Sequence, residues 1–302
     1  MGELDRIAVV VLSISLFSFP LYVAILVIIA RYRKSFFSVF YGLILNQGLY
    51  DLSSMFNYFV FFAFRGTDPY ADFFWNFRTG FIPLWLYACV YFFLYLRVFG
   101  ILTITLNRFF ACVLPFSKVD RMFRNTSRWA FLTANVILAF SVSLPTLDHT
   151  AQIDDKATMS PKQNSLNLAR NTLMAASIII LIGAVCFVSY CAIIYRISFT
   201  QKLRRQKSDR AEKNAAVQLG MILAAFSLIT AHYTIIFTCS LTQTASPLLE
   251  TLRSAYPVWS AILSYMPAWT LLIINRDIRQ RLLGLPDHVT AATSVVQPSV
   301  RP

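Results

Sequence analysis

Residues 81–106 read FIPLWLYACVYFFLYLRVFGILTITL, and Arg97 is the one charged side chain in that run. About 20 apolar residues in helical form cross the hydrocarbon core of a bilayer. A helix of a soluble protein keeps a polar face, and this segment has none, so it predicts a transmembrane helix. Working outward, five uncharged runs of similar kind lie at 7–30, 129–147, 172–195, 215–241 and 256–274. A seventh, 36–64, holds a single acid, Asp51. The chain therefore predicts an all-α membrane protein, a seven-transmembrane helix bundle. Run 7–30 is too long for a signal-peptide core, and no small-residue cleavage site follows it.

Composition points the same way. The 302 residues are 57% hydrophobic and 14% charged, whereas soluble domains carry about 25% charge. So few charges cannot cover a water-facing surface. The net charge of +13 is a matter of placement. Lys and Arg gather on the cytoplasmic side of membrane proteins. With the N-terminus outside, 19 of the 27 basic residues fall in inner segments and 7 in outer ones. The basic excess is thus a topology signal, with attraction to acidic headgroups second, and nucleic acid is not an expected partner. The five cysteines, Cys89, Cys112, Cys186, Cys191 and Cys239, lie in or beside apolar runs without metal-ligand spacing. They predict neither a disulfide framework nor a metal site, and no cofactor is implied. Residues 1–285 read as one membrane domain and 286–302 as a disordered cytoplasmic tail.

At the inner end of the third run stands Leu106-Asn107-Arg108-Phe109-Phe110-Ala111-Cys112-Val113-Leu114-Pro115-Phe116. This resembles the Asp-Arg-Tyr segment of rhodopsin-like G-protein-coupled receptors, with an alanine three and a proline seven residues after the arginine. In the second run, Leu45-Asn46-Gln47-Gly48-Leu49-Tyr50-Asp51-Leu52 resembles the family's Leu-Asn…Asp-Leu pattern. The last run carries Pro267, then Asn275 and the basic stretch from Arg276 to Leu283, similar to the short helix after the family's Asn-Pro-x-x-Tyr motif. The departures are specific. Asn107 stands for the acid, the last span lacks the Asn and Tyr of its motif, and the sixth has no proline. Loop 148–171 has no cysteine for the family's extracellular disulfide. Together with the Phe and Tyr content and Pro20-x-Tyr22, these departures resemble the nematode chemosensory serpentine receptors, class V of the srg superfamily.

That resemblance implies a chemosensory receptor in the plasma membrane, within a sensory cilium. It would bind an extracellular small molecule or peptide and activate a heterotrimeric G protein. Asn107, Arg108, Phe109 and Pro115 would serve coupling, with Arg204 and Arg205 of the basic inner loop 196–213. Pro267 and Asn275 would form the switch region of the last span. The alternative is a small multi-span transporter or channel, which would favour paired repeats and several intramembrane charges; no repeat is visible. No His-Glu-x-x-His and no nucleophile with a base appears, so an enzyme is not expected.

From the residues themselves, Arg108 sits at the membrane–cytosol boundary, where an arginine also serves as a snorkelling anchor. Arg97 lies 11 residues earlier, on the same face and about 16 Å deeper. A charge at that depth needs a partner, and Asp51 is the acid at comparable depth, so an Asp51–Arg97 ion pair is predicted. Continuing the Arg97 face outward, Phe93, Val90 and Leu86 are candidates for a ligand pocket, with His232 and Tyr233 of the sixth span. Residues 276–283 predict an amphipathic helix on the inner leaflet.

Overall fold

A computed structural model describes residues 6–32, 38–63, 68–147, 151–153, 161–162, 165–203, 209–241 and 247–284. Among them are seven long helices: α1 (Arg6–Arg31), α2 (Val39–Tyr58), α4 (Phe81–Val113), α6 (Arg128–Ser143), α7 (Ser165–Leu203), α8 (Asp209–Leu241) and α9 (Pro247–Ile274). Three short helices complete the set: α3 (Asp68–Asn76) before α4, α5 (Lys118–Asn125) after it, and α10 (Arg276–Leu282) after α9. The strands Gln152–Ile153 and Pro161–Lys162 pair antiparallel between α6 and α7.

Several helices outrun their apolar segments. At 33 residues, α4 is about 50 Å long, well beyond the ~30 Å hydrocarbon layer. Hydropathy marks the part in the membrane and not where the backbone stops coiling. Pro115 sets that stop: the residue before a proline avoids the helical region, and Leu114 has left it, at φ −123° and ψ 58°. Phe116 then turns the chain with φ 67°. Its N–H is held by the Asp120 carboxylate at 3.0 Å, while Ser117 Oγ caps the N–H of Asp120 at 3.1 Å. Arg124 pairs with the same carboxylate. Sequence hydropathy has no signal for α5, which is polar and local.

Six of the seven long helices are long and apolar enough to cross a membrane. The exception, α2, fails for an instructive reason. Asn46, Gln47, Asp51, Ser54 and Asn57 lower its hydropathy, yet all are buried. These polar residues face protein together with Phe40, Leu43, Ile44 and Met55, while Leu49 and Phe56 face outward. α2 is thus packed into the bundle with its polar groups shielded.

The bundle is built around α4, of whose apolar window 67% is buried. α4 packs on α2, α6 and α7, and the ring closes through α7 on α8, α8 on α9 and α9 on α1. One apolar cluster lies among α4, α7 and α8, another among α1, α2 and α9. A Cβ on Gly100 would stand 2.1 Å from Gln47 Oε1, so only glycine lets α2 and α4 approach this closely. α6 is the least buried of these spans, with 22% of its window buried. Polar bonds hold it: Asn46 Nδ2 donates to the Arg128 carbonyl at 2.8 Å, and Thr103 Oγ1 donates to Asn135 Oδ1 at 3.2 Å.

Candidate functional site

The centre of the bundle holds the two intramembrane charges. Asp51 and Arg97 are both fully buried and within electrostatic reach of one another. They do not form the direct ion pair expected. The carboxylate accepts from Tyr22 at 3.0 Å and from Gln47 Nε2 at 3.1 Å. The guanidinium Nη1 donates to the Ser260 carbonyl at 3.1 Å and to Ser264 Oγ at 2.8 Å. Depth was read correctly from the sequence, and direction was not. Gln47 sits one turn from Asp51 on its own helix and lies over Gly100, so a local neutral donor fills the carboxylate. Tyr22 is the tyrosine of Pro20-x-Tyr22. Among the described residues, Arg97 Nε and Nη2 and Gln47 Oε1 have no hydrogen-bond partner. These are spare polar positions in the middle of the bundle.

One turn toward the α3 end, a cavity of about 70 Å³ opens among α2, α4 and α9. Val90 and Phe93, two of the predicted pocket residues, line it. Ser54 and Asn57 of α2 and Tyr256 and Ser260 of α9 complete its polar rim. Ser260 links the cavity to Arg97, since its carbonyl takes the guanidinium. A cavity this small admits a handful of waters or a short ligand group; a ligand of ordinary size needs α2 and α9 to part. Leu86 is not a wall of it. Leu86 packs instead with Phe74 of α3 and Ile153, because the short helix and the hairpin fold over the end of α4. Ile153 N–H donates to the Arg78 carbonyl at 2.8 Å.

His232 and Tyr233 also stand behind the wall. Their rings meet Tyr256 at centroid distances of 6.0 Å each. Both ring nitrogens of His232 lack a partner among the described residues. A stripe of tyrosines on α4 continues this layer, with Tyr87 and Tyr91 hydroxyls 3.2 Å apart. From the sequence the aromatic run Tyr87–Tyr95 reads as pocket lining, lipid contact or helix packing alike, and Tyr256 was not singled out. The i, i+4, i+8 spacing of Tyr87, Tyr91 and Tyr95 was the available signal.

At the α10 end, Arg108 does not extend freely. Its guanidinium carbon lies 3.5 Å from the centroid of the Phe40 ring. Beside it, Asn275 Nδ2 donates to Tyr41 Oη at 2.9 Å. Asn275 Oδ1 also caps α10, accepting from Asp277 N at 3.0 Å and Ile278 N at 3.2 Å. Ile278 is fully buried, and Arg281 lies over the Tyr32 ring at 4.1 Å. One asparagine therefore starts α10 and ties it to α2. Pro267 sits inside an uninterrupted α9. Asn107 is buried, Phe109 packs against the α4–α7–α8 cluster, and Pro115 follows α4 as described. Arg204, Arg205 and the tail 286–302 lie outside the described residues.

Asp120 is the titratable group outside the spans that this end perturbs most clearly. The Arg124 hydrogen bond, then the Phe116 N–H, holds its carboxyl below the usual value.

Seven long helices bundled around α4, with two charges buried at the centre, define a seven-helix membrane protein. The model of the family described as serpentine type 7TM GPCR chemoreceptor Srv matches residues 11–285, and the chain belongs to that chemoreceptor family. This bears out the nematode serpentine-receptor resemblance; the srg grouping is not part of the family's description. No curated protein matches the chain significantly. The family is one of receptors and not of enzymes.

Proposed function

We propose that this chain is a chemosensory receptor of the plasma membrane that converts an extracellular ligand into activation of a heterotrimeric G protein. A sensory cilium is the expected site. The N-terminus lies outside, so the cavity between α2, α4 and α9 faces the exterior and Arg108 faces the cytosol. The observation that carries this reading is the placement of Arg108. It lies at the boundary on the most buried helix, parked against Phe40 beside the Tyr41–Asn275 bond. A parked arginine is available to a G protein once α2 and α4 shift. The ligand group enters near Val90, Phe93, Asn57 and Tyr256, with Arg97 and Asp51 beneath it as the polar floor that senses the change.

The test is a second-messenger assay in cells expressing the chain, against a panel of small odorants and peptides. A response that survives Arg108→Ala, or none with any co-expressed G protein, would overturn the coupling. Orientation is tested separately. The one Asn-x-Ser/Thr sequon is Asn125-Thr126-Ser127, at the end of α5, and it stays unglycosylated if that end is cytosolic. A glycosidase-sensitive mass shift that vanishes in Asn125→Gln would reverse the topology.

A further inference from the structure

A groove of about 450 Å³ lies between the α10-side ends of α1, α2 and α6, well away from the outer cavity. We infer that it binds the headgroup of a phosphorylated phospholipid. Its deeper wall is apolar, made by Ile29 of α1 and Val39 and Leu45 of α2. Its rim is not. Arg124 and Arg128 both line it, with Ser127 and Trp129. Two guanidiniums offer the forked donors that phosphate oxygens accept. The positive end of α6 adds to their field, since Ser127 is its N-cap.

The local backbone is built to hold Arg128 there. Asn46 fixes its carbonyl from α2. A Cβ on Gly42 would meet Arg128 Cβ at 3.4 Å and Cδ at 3.8 Å, ordinary contact distances. A side chain larger than a methyl group there would press on the arginine and fill the groove beside it. The Arg128 guanidinium stands over Trp129 at 4.8 Å, and Trp129 is itself 58% exposed, as an indole at a membrane interface is. Of the acids, Asp120 is engaged by Arg124 and Asp277 starts α10. Lys118 and Arg121 on α5 are exposed and add positive charge. The Arg124–Asp120 pair is neutral as a unit, so the positive field of the rim comes from Arg128, Lys118 and Arg121 and from the start of α6.

The apolar wall decides between lipid and free phosphate. A soluble phosphate would leave the part-exposed Val39 and Leu45 wet. A lipid lays its glycerol and acyl chains along them, with its phosphates on the two arginines. Basic pockets between spanning helices on the cytoplasmic side take phosphoinositide headgroups in this way. Assignment to the inner leaflet rests on the orientation proposed above. The binding test is done on purified protein and does not, so the two fail independently.

Native mass spectrometry of the detergent-purified receptor, given equal amounts of phosphatidylinositol bisphosphate, phosphatidylserine and phosphatidylcholine, is the experiment. One phosphoinositide should be retained at least tenfold over phosphatidylcholine. Arg128→Gln, and Asp120→Asn with Arg124→Gln, should each lower that retention at least fivefold. Arg276→Gln, a basic residue elsewhere at this end, should not. Gly42→Val should lower it with both arginines intact, and it decides the matter should the arginine variants fail to fold. Retention unchanged in folded Arg128→Gln or in Gly42→Val would overturn the site, as would equal retention of phosphatidylcholine. If water-soluble inositol trisphosphate raises the thermal midpoint as much as the lipid does, the ligand is not a lipid and the inference fails.

Discussion

Arg97 and Arg108 stand on one helix, 11 residues apart, and the bundle treats them differently. Arg97 is fully buried and bonded to α9 through Ser260 and Ser264. Arg108 is part-buried and lies on the π-face of Phe40. In the membrane interior a cation needs real hydrogen bonds and an opposite charge nearby, because desolvation there costs several kcal/mol. At the boundary water is within reach, and the contact with the Phe40 ring is of a kind worth about 0.5–2 kcal/mol. The inner arginine is tied to α9 by hydrogen bonds; the boundary one lies against an aromatic ring, only part-buried.

The largest effect should come from removing the boundary arginine. Arg108→Ala should abolish ligand-evoked second-messenger output while surface expression stays near wild type, measured side by side. Expression lost together with output would mean that Arg108 is structural, and the contrast with Arg97 would collapse.

Arg97→Met should do the opposite, lowering surface expression and thermal stability by roughly 3–5 kcal/mol, the range for breaking a buried charge pair. Asp51→Asn should lower them too. Because the two side chains bond to different helices, their coupling crosses a gap. A double-mutant cycle on the thermal midpoint should return a favourable coupling within the 0.5–3 kcal/mol seen for neighbours. Strictly additive losses would show that the two charges do not sense each other.

Phe40→Leu keeps an apolar side chain and removes the ring. Losing about 1 kcal/mol of cation–π stabilisation corresponds to roughly fivefold in a two-state equilibrium, so ligand-free signalling should rise about that much. Unchanged basal output would leave Phe40 as mere packing.

The smallest effect concerns the turn after α4. Asp120 is held below its ordinary value of 3.8, first by Arg124 and then by the Phe116 N–H. A depressed carboxylate contributes stability that is present above its ordinary value and lost as pH falls through its folded value. Hydrogen exchange in 116–125 should thus be flat from pH 7 to 5 once corrected for intrinsic rates, and opening should begin only below about pH 4. Asp120→Asn should remove that step. A step near pH 6 would assign it to another group.

The charged positions in the spans were legible because charge is conspicuous in apolar sequence. Their partners were not. Gln47, Tyr22, Ser260 and Ser264 are neutral residues of ordinary type, and nothing in their order says which helix face they share. Leu86 shows the same limit from the apolar side. It was placed on the pocket face of α4 by helical angle, and Phe74 with Ile153 covers it instead. The Tyr87–Tyr91–Tyr95 stripe and Tyr256 went unselected, since an aromatic in a span packs in a core as readily as it lines a pocket.

The sequence alone determined that seven segments cross a bilayer, that basic residues gather at one set of loops, and that Asp51 and Arg97 share a depth. These follow from solvation free energies summed along the chain, which need no knowledge of neighbours. Only the tertiary structure decided that Arg97 leans on α9, that Arg108 rests on Phe40, that Gly42 lies beside Arg128 in a groove, and that Gly100 lets α2 and α4 meet closely. Those choices depend on the rotation and register of packed helices, where a shift of one residue turns a side chain by about 100° and exchanges one partner for another.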